Sequence, residues 1–432
     1  MHTKKYSPID SKLFIENRKR LAKKLKSNSI CVFNSNDVQP TNADGTMAFQ
    51  QNADLFYLSG IDQEETILLY YPDAVNAEDR EILFLRETNA HIAVWEGHKF
   101  TKEEAAATSG ISSVYWVKDF SAVFNRLMAD AERIYLNTNE HKRAVVEVET
   151  RDARFGKWCR EKYPIHKYER VTLIMQALRM IKSKYEIELI QEACNITEKG
   201  FRRLLGFVKP GVWEYEIEAE LMHEFLRNRS TGFAYGPIVA SGAGSCVLHY
   251  VQNNKQCKSG EILCLDVAAE YANYKSDLTR VLPVNGKFKK RQKEVYNAVL
   301  RVFRASSEFL KPGRTIAEWN KNTGKLMEEE LIKLKLLKLS DVKKQDPKMP
   351  LYKKYFMHGT GHYIGIDVHD IGNMYAKFEE GMVLTCEPGI YLPREKLGVR
   401  LENDILITKK DPVDLMKNIP IEADEIEELM NR

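Results

Sequence analysis

The strongest constraint on the fold of this chain is a change in the order of its predicted strands and helices near residue 175. Before it, short runs rich in β-branched and aromatic residues (29–33, 65–71, 80–85, 133–136) alternate with helical stretches (12–26, 103–108, 120–131). This alternation predicts an α/β domain with a largely buried sheet. After it, antiparallel strands with segregated helices are typical of an α+β domain. We therefore predict two domains, at residues 1–175 and 176–432.

The second domain begins with a helix whose start is marked in the sequence. Ser183 and Glu186 have the spacing of a capping box, in which each side chain satisfies the other residue's backbone N–H. Apolar residues then recur at helical spacing to about residue 205. The predicted elements that follow are a helix at 214–227, a helical block at 290–337, and strands at 262–268, 276–283, 381–387 and 399–408.

The composition indicates a globular protein and excludes several classes of function. The 432 residues include 65 basic and 61 acidic side chains, a net charge of +4, and 44% of them are hydrophobic. That balance excludes a disordered chain, and the scattered basic residues give no indication of nucleic acid as a partner. No apolar run approaches the ~18 residues of a membrane span, and the N-terminus lacks the apolar stretch of a signal peptide. We therefore expect no membrane partner.

The seven cysteines predict a reducing compartment. They are odd in number and show no C-x-x-C spacing, which argues against a disulfide framework and against a zinc ribbon. Free thiols in a chain without a secretion signal fit the cytosol, so we expect a cytoplasmic protein. Cys264 and Cys386 lie in apolar strand-like runs and are expected to be buried.

Asp266 and Asp277 are the first candidates for chemistry. They lie 11 positions apart, each within a strand-like run. If the runs form one hairpin with its turn centred between Tyr271 and Ala272, the two aspartates lie opposite each other with Cβ atoms about 5 Å apart. Two carboxylates that close repel, and both stay ionised at neutral pH only with a cation between them. The alternative is two exposed aspartates, although Asp is depleted in strands and the flanking residues are apolar.

Two further carboxylates occur in the same kind of setting. Glu387 ends an apolar run that begins at residue 381. In the next strand-like run, alternation places Arg400, Glu402 and Asp404 on one face. A lone strand glutamate is usually solvated, but two of them on apolar strands that follow an aspartate pair favour a shared site. Four carboxylates supply enough hard oxygen ligands for two divalent cations with bridging groups.

Three of the ten histidines, His358, His362 and His369, lie within twelve residues of one another. His358 and His362 have the i, i+4 spacing of a zinc-binding helix. However, Gly359 and Gly361 disfavour a helix, and no glutamate lies between the two histidines. We expect a glycine-rich loop that leads into a strand. One imidazole among oxygen ligands favours a transition metal such as Mn, Co or Zn over Mg.

Five of these residues stand in the order of the metal ligands of the dinuclear metallopeptidases with the pita-bread fold: Asp266, Asp277, His362, Glu387 and Glu402. The chain from residue 180 to 430 therefore resembles that family, which includes methionine aminopeptidase, prolidase and aminopeptidase P. The resemblance implies two divalent ions per chain, expected as Mn²⁺ with Co²⁺ or Zn²⁺ as alternatives. It also implies that Asp277 and Glu402 bridge both ions. Asp266 would hold one ion, and His362 and Glu387 would hold the other.

The N-terminal half of the chain narrows the resemblance from the whole family to the aminopeptidase P subfamily. Residues 49–60 and 94–97 look like the N-terminal domain of aminopeptidase P, which methionine aminopeptidases lack. In relatives this domain joins subunits, so we expect a role in substrate access and a homodimer or homotetramer. Asp54 and Trp95 are then candidates to contact the free α-amine and the first residue of a substrate. The alternative for Trp95 is a core or interface aromatic.

The resemblance also implies roles around the metal ligands. Three residues match outer histidines that contact substrate or the reacting carbonyl: His249, His358 and His369. Arg400 matches an arginine that lines the proline pocket, and Tyr391 fits the same subfamily as a substrate-binding residue. A hydroxide that bridges the two ions would attack the scissile carbonyl, and Glu387 beside it would pass a proton to the leaving amine.

The function that the resemblance implies is Xaa-Pro aminopeptidase activity, the release of the N-terminal residue from peptides with proline in second position. The alternative within the same chemistry is prolidase, which is restricted to Xaa-Pro dipeptides. Two further alternatives are a non-catalytic pita-bread domain that binds proteins or peptides, and creatinase-like hydrolysis without metal. Both would be expected to lack the metal ligands, whereas all five are present in this chain.

Overall fold

The computed structural model describes residues 5–138, 140–141 and 145–432. Within it the chain divides into two compact units, one that ends at Leu178 and one that begins at Arg179. This division lies three residues after the predicted boundary at residue 175. Across the described part of the chain, no helix combines the length and the apolar character needed to cross a membrane.

The N-terminal unit is built on one mixed sheet of six strands. These are β1 (Ser29–Asn34), β2 (Ile67–Tyr70), β3 (Glu81–Leu85), β4 (Ser113–Trp116), β5 (Arg133–Leu136) and β6 (Lys167–Arg170). Their order across the sheet is β4-β3-β2-β1-β5-β6. β1 pairs antiparallel with β2 and parallel with β5. Both β1 and β2 are buried along their whole length, as the apolar runs predicted.

Seven α-helices begin in this unit among the described residues. They are α1 (Lys12–Ala22), α2 (Ala53–Ser59), α3 (Ala90–Glu96), α4 (Lys102–Ser109), α5 (Phe120–Met128), α6 (Arg151–Lys162) and α7 (Thr172–Met180). The predicted helices correspond to α1, α4 and α5. The short helix α2 was not predicted, because it depends on its two ends. Asn52 accepts hydrogen bonds from two backbone N–H groups at the start, and Gly60 adopts a left-handed conformation at the end.

The C-terminal unit contains six helices and ten strands among the described residues. The helices are α8 (Lys184–Phe207), α9 (Glu214–Arg227), α10 (Lys290–Ser307), α11 (Ile316–Lys333), α12 (Leu339–Val342) and α13 (Ala423–Met430). The strands are β7 (Ile238–Ser241), β8 (Ile262–Asp266), β9 (Glu270–Tyr271), β10 (Tyr274–Lys275), β11 (Thr279–Pro283), β12 (Val383–Cys386), β13 (Gly389–Leu392), β14 (Leu397–Arg400), β15 (Asn403–Leu406) and β16 (Val413–Asp414). They form the sheets β11-β8-β7 and β12-β15-β16 and the hairpins β9-β10 and β13-β14.

The hairpin that carries the two aspartates differs from the prediction in its register. Thr279, and not Asp277, lies opposite Asp266 in the β8–β11 pair. The turn is formed by Ala272 and Asn273, both with positive φ (51° and 68°). Two-residue hairpin turns favour left-handed conformations at both central positions, and asparagine adopts them readily. The turn is therefore centred one residue later than predicted, and the direct opposition of the two aspartates is wrong.

The predicted strand at residues 399–408 is two strands. β14 pairs with β13 and ends at Arg400, whereas β15 pairs with β12 and begins at Asn403. Glu402 lies between them and makes an isolated bridge with Thr279. Alternation along one continuous strand therefore does not describe this segment. Arg400 and Glu402 still meet, because both hydrogen-bond the Thr279 hydroxyl.

Candidate metal centre and its surroundings

The candidate ligands come from separate segments whose ends meet. Asp266 ends β8, Asp277 precedes β11, Glu387 follows β12, and Glu402 links β14 to β15. One ligand atom each of Asp277, His362 and Glu402 lie within 4.8 Å of one another. His362 Nε2 is 3.5 Å from Asp277 Oδ2 and 3.9 Å from Glu387 Oε1. These side chains form one cluster of nitrogen and oxygen donors.

Glycine allows the loop that carries His362 to lie directly against β12. A Cβ on Gly361 would come within 2.0 Å of the Thr385 carbonyl oxygen. The His362 N–H donates to Thr385 Oγ1 at 3.2 Å, and the Thr385 N–H donates to the His362 carbonyl at 2.9 Å. The glycine-rich loop is present as expected. It continues as a single bridge between Tyr363 and Leu384 and not as the predicted strand.

Tyr235 connects the two aspartates that the hairpin does not place opposite each other. Its hydroxyl lies 2.6 Å from Asp266 Oδ1 and 2.6 Å from Asp277 Oδ1. One hydroxyl carries one hydrogen, so it donates to only one of the two aspartates at a time. Sequence reasoning missed Tyr235, because it lies in the loop before β7, where neither periodicity nor a motif marks it. Arg400 Nη2 holds the other oxygen of Asp266 at 2.6 Å.

The electrostatics of the cluster fit a divalent cation. Burial, and then the charges of neighbouring carboxylates, raise the pKa of Glu402 well above its ordinary value. Burial likewise raises the pKa of Glu387 to about 7 and also raises the pKa of Asp266. Ionisation of these groups is opposed by desolvation and mutual repulsion, and a cation between them would relieve both. The donor set therefore suits divalent ions.

His362 has the opposite preference. Burial alone would lower the pKa of His362, but the hydrogen bond to Asp277 and the charge of Glu387 outweigh it and raise the pKa to about 9. Metal ions bind the neutral imidazole, so an ion at this nitrogen would displace a proton. The Asp277 carboxylate and the His362 ring thus share one position that either a proton or a cation can fill.

The outer histidines lie around this cluster. The rings of His369 and His362 are in edge-on contact, with centroids 4.2 Å apart. His358 Nδ1 lies 3.8 Å from Glu387 Oε2. Burial and the positive charge of Arg400, with a smaller contribution from exposed His249, lower the pKa of His358 to about 4. A neutral imidazole at this position can donate or accept a hydrogen bond at neutral pH.

Arg400 links the cluster to Tyr391 and His358 through hydrogen bonds. Arg400 Nη1 donates to the Tyr391 hydroxyl at 2.9 Å, and that hydroxyl lies 2.8 Å from His358 Nε2. Arg400 Nε donates to Thr279 Oγ1 at 3.0 Å, and the Thr279 hydroxyl donates to Glu402 Oε2 at 2.6 Å. The structure therefore brings three predicted substrate-binding residues and two predicted ligands, Glu402 and Asp266, into one network. Thr279, which joins them, was not predicted.

The two N-terminal candidates have different surroundings within their own unit. Asp54 lies in the first turn of α2, is buried, and accepts a hydrogen bond from Asn137 Nδ2 at 3.0 Å. Trp95 lies near the end of α3 and is 79% exposed. Asp54 is thus fixed by a neighbour in its unit, whereas Trp95 presents an aromatic ring to solvent. Their contacts with a substrate stay predictions.

Comparison with known proteins shows similarity along the whole chain. Residues 188–409 match the profile of metallopeptidase family M24, and residues 14–135 match that of the aminopeptidase P N-terminal domain. The Xaa-Pro aminopeptidase of Haemophilus influenzae is 31% identical over 97% of both chains. That of Escherichia coli is 29% identical over 98% of both chains.

Solved structures show the same similarity. Aminopeptidase PepP of Pseudomonas aeruginosa has a TM-score of 0.89 at 28% identity, with 98% of each chain covered. Aminopeptidase P of Escherichia coli with the inhibitor Pro-Leu has a TM-score of 0.86 at 28% identity, covering 98% of this chain and 99% of that one. A zinc-substituted form of the same enzyme in complex with product has a TM-score of 0.87 at 28% identity over the same shares of the chains.

Proposed function

This chain belongs to metallopeptidase family M24, as an aminopeptidase P, and on that basis we propose that it releases the first residue of peptides whose second residue is proline. The predicted order of an aminopeptidase P N-terminal domain and a pita-bread domain is confirmed by the family matches and the structural neighbours. The observation that carries the proposal is the cluster of Asp277, His362 and Glu402, whose ligand atoms lie within 4.8 Å of one another in the metallopeptidase domain.

Membership of a metallopeptidase family implies divalent metal ions. The five predicted ligands Asp266, Asp277, His362, Glu387 and Glu402 would hold two such ions. Four carboxylates and one imidazole form an oxygen-rich set that suits Mn²⁺, with Co²⁺ and Zn²⁺ as alternatives. When bound, such ions supply a Lewis acid for the scissile carbonyl and lower the pKa of a water molecule.

Glu387 is the residue that would move the proton during hydrolysis. Its Oε1 lies 3.9 Å from His362 Nε2 and its Oε2 lies 3.8 Å from His358 Nδ1, so it stands between the cluster and the outer histidines. The carboxylate would accept a proton from the attacking water and return it to the proline nitrogen as that nitrogen leaves.

Arg400, Tyr391 and the outer histidines would bind the substrate. The hydrogen bonds from Arg400 to Tyr391 and between Tyr391 and His358 fix these three side chains relative to one another before substrate arrives. We assign Arg400 and Tyr391 to the pocket for proline. We assign His249 and His369 to the reacting carbonyl, where an imidazole N–H would stabilise the developing oxyanion.

The length of the preferred substrate separates an aminopeptidase from a prolidase. The Escherichia coli relative was solved with Pro-Leu as an inhibitor. Pro-Leu is what remains of an Xaa-Pro-Leu tripeptide after its first residue is removed. A site of the same kind in this chain would hold a residue beyond proline, which supports activity on tripeptides and longer peptides.

One experiment tests this proposal. Manganese-loaded protein is offered an Xaa-Pro-Yaa tripeptide and an Xaa-Pro dipeptide in parallel, with Asp277→Asn as the metal-site control. We expect a higher kcat/KM for the tripeptide, and metal analysis that approaches two ions per chain in the unaltered protein. Cleavage of the dipeptide alone would indicate a prolidase. A folded protein that takes up no metal would contradict peptidase activity altogether.

We also propose that the protein is a cytoplasmic homodimer or homotetramer. All seven cysteines are free and six of them are buried, which fits a reducing compartment. The neighbouring side chains of Val94 and Trp95 are both exposed in the N-terminal unit, which supports a contact surface there. Sedimentation velocity at micromolar concentration would measure the oligomeric state, and a monomer under those conditions would contradict this assignment.

A further inference from the structure

A cluster of buried charges lies beside the loop that carries His369. Asp370 Oδ2 accepts a hydrogen bond from Lys182 Nζ at 3.0 Å, and Asp370 Oδ1 accepts one from Arg179 Nη2. The three side chains are at most 3% exposed. Arg179 Nη2 also lies 2.7 Å from Asp367 Oδ2. None of these four groups has a part in the proposed chemistry. Burial of charge is costly unless the pairing geometry is good, so a buried cluster of this kind calls for an explanation.

We propose that Arg179 and Lys182 are positioning residues that fix His369 in place through Asp370. The inference rests on the proposed function, in which His369 acts on the reacting carbonyl. The positively charged side chains of Arg179 and Lys182 hold the Asp370 carboxylate in place. This carboxylate sets the conformation of the loop that carries His369.

Asp370 closes this loop at its base. The Asp370 N–H donates to the Tyr363 carbonyl at 2.9 Å, and the Ile371 N–H donates to Asp370 Oδ1 at 2.9 Å. Asp370 directly follows His369, and Tyr363 directly follows His362. One backbone hydrogen bond therefore ties together the two histidines whose rings are 4.2 Å apart.

The loop leaves little room for the carboxylate to move. A Cβ on Gly365 would lie 2.2 Å from Asp370 Oδ2 and 3.1 Å from Lys182 Cε. The Gly365 carbonyl in turn accepts a hydrogen bond from the Lys275 N–H at 2.8 Å. The loop backbone thus packs directly on the charged groups, so a displaced carboxylate would displace the loop.

Lys182 is fixed on its other side to a segment that carries a candidate ligand. The Lys182 N–H donates to the Gly381 carbonyl at 2.9 Å. Gly381 has φ +89°, and a Cβ there would lie 3.1 Å from the Lys182 carbonyl oxygen. The chain runs from Gly381 through β12 to Glu387. Lys182 is therefore attached through its backbone to the Glu387 segment and through its side chain to the His369 loop.

Loss of the positive charge of Lys182 or Arg179 should impair the chemical step more than substrate binding. A misplacement of about 1 Å at a reacting group can cost roughly 100-fold in rate. We expect Lys182→Met and Arg179→Met each to lower kcat by roughly 10- to 100-fold, with KM and metal content nearly unchanged. Arg179→Lys keeps the charge but shortens its reach, so its loss of kcat should be several times smaller.

The matched control is Glu81→Gln in the N-terminal unit. It removes the charged partner, at 3.0 Å, of another buried arginine, Arg18. It should lower the melting temperature and leave kcat unchanged when all proteins are assayed below their melting temperatures. If the Lys182→Met and Arg179→Met proteins lose no more kcat than Glu81→Gln, the inference is wrong.

A second measurement does not depend on metal or activity. Hydrogen exchange of metal-free protein reports on the Asp370 N–H, and we expect it to exchange faster in Lys182→Met than in Glu81→Gln. Equal exchange in the two would overturn the inference even if the rates changed. If the methionine variants do not fold, Arg179→Lys decides: an unchanged kcat would refute the positioning role. If unaltered protein fails to cleave Xaa-Pro-Yaa, the proposed function is wrong. The exchange data then still test whether Lys182 fixes the conformation of the loop at Asp370.

Discussion

At the scale of single residues, two neighbouring histidines of the site have different surroundings. His362 lies among carboxylates, 3.5 Å from Asp277 and 3.9 Å from Glu387. His369 meets the cluster through ring contact with His362. A change at the first position should therefore act on metal binding, and a change at the second should act on rate.

Asp277→Asn and His369→Ala should separate these two effects. Asp277→Asn removes the charge proposed to be shared by both ions, so we expect loss of metal and of turnover together. His369→Ala should retain its metal and mainly lower kcat, because its proposed contact is with the reacting carbonyl. Metal analysis and steady-state kinetics on both proteins measure this. Loss of metal from His369→Ala would show that His369 is wrongly assigned to the outer histidines.

A buried carboxyl in the N-terminal unit predicts a pH effect on stability. Burial raises the pKa of Asp152 to about 7, although Asn34 donates a hydrogen bond to it at 2.8 Å. The folded state then holds this proton more tightly than the unfolded state. The stabilising contribution of Asp152 is therefore full below about pH 4 and is lost as the pH rises through about 7.

Asp152→Asn should remove that dependence. As the pH rises from 5 to 8, the free energy of unfolding of the variant should increase relative to that of the unaltered protein. Asparagine has no proton to lose, and its side-chain oxygen still accepts the hydrogen bond from Asn34. Urea denaturation at the two pH values, followed by a probe in the N-terminal unit, measures the difference. An identical change with pH in both proteins would mean that Asp152 does not titrate in this range.

At the scale of elements, the sequence predicted helix starts better than strand pairing. The capping box at Ser183 and Glu186 is a local signal, and both of its hydrogen bonds are present at the start of α8. The register of the aspartate hairpin depends on which residues form the turn. Ala272 and Asn273 include no glycine, so the turn position carried no clear signal. The break between β14 and β15 depends on two different partner strands, which one segment of sequence does not reveal.

The capping box gives a prediction for stability. Ser183→Ala removes the hydroxyl that accepts the Glu186 N–H, and we expect a loss of about 1 kcal/mol in the free energy of unfolding. Ser183→Thr keeps a hydroxyl in the same place and should lose much less. Urea titration of the C-terminal unit compares the two. If both substitutions cost the same, packing around Ser183 and not capping fixes the start of α8.

At the scale of the whole molecule, all five candidate ligands lie in the C-terminal unit, and their identity and order were predictable because the residue types themselves carry the chemistry. What joins them was not predictable. Tyr235 reaches the cluster from the loop before β7, and Thr279 reaches it from the first position of β11. The role of the N-terminal unit was inferred from resemblance alone, so it calls for its own test.

Trp95→Ala tests whether the N-terminal unit affects the choice of substrate. We expect KM to rise more for peptides with a large first residue than for those that begin with Gly-Pro, with metal content unchanged. Ile165→Ala is the control, because Ile165 is also an exposed apolar residue of this unit (92% exposed) and has no predicted role. Equal losses across first residues would mean that the unit acts only as a scaffold.

The contact at Gly361 sets a limit for anyone who would redesign this enzyme to accept other peptides. The Thr385 carbonyl oxygen occupies the space that the first side-chain carbon at position 361 would need, at 2.0 Å. A combinatorial library that varies the histidine loop would lose the members with any other amino acid there, whatever their merit elsewhere. Diversity is better placed at Met357, which is 45% exposed and directly precedes His358.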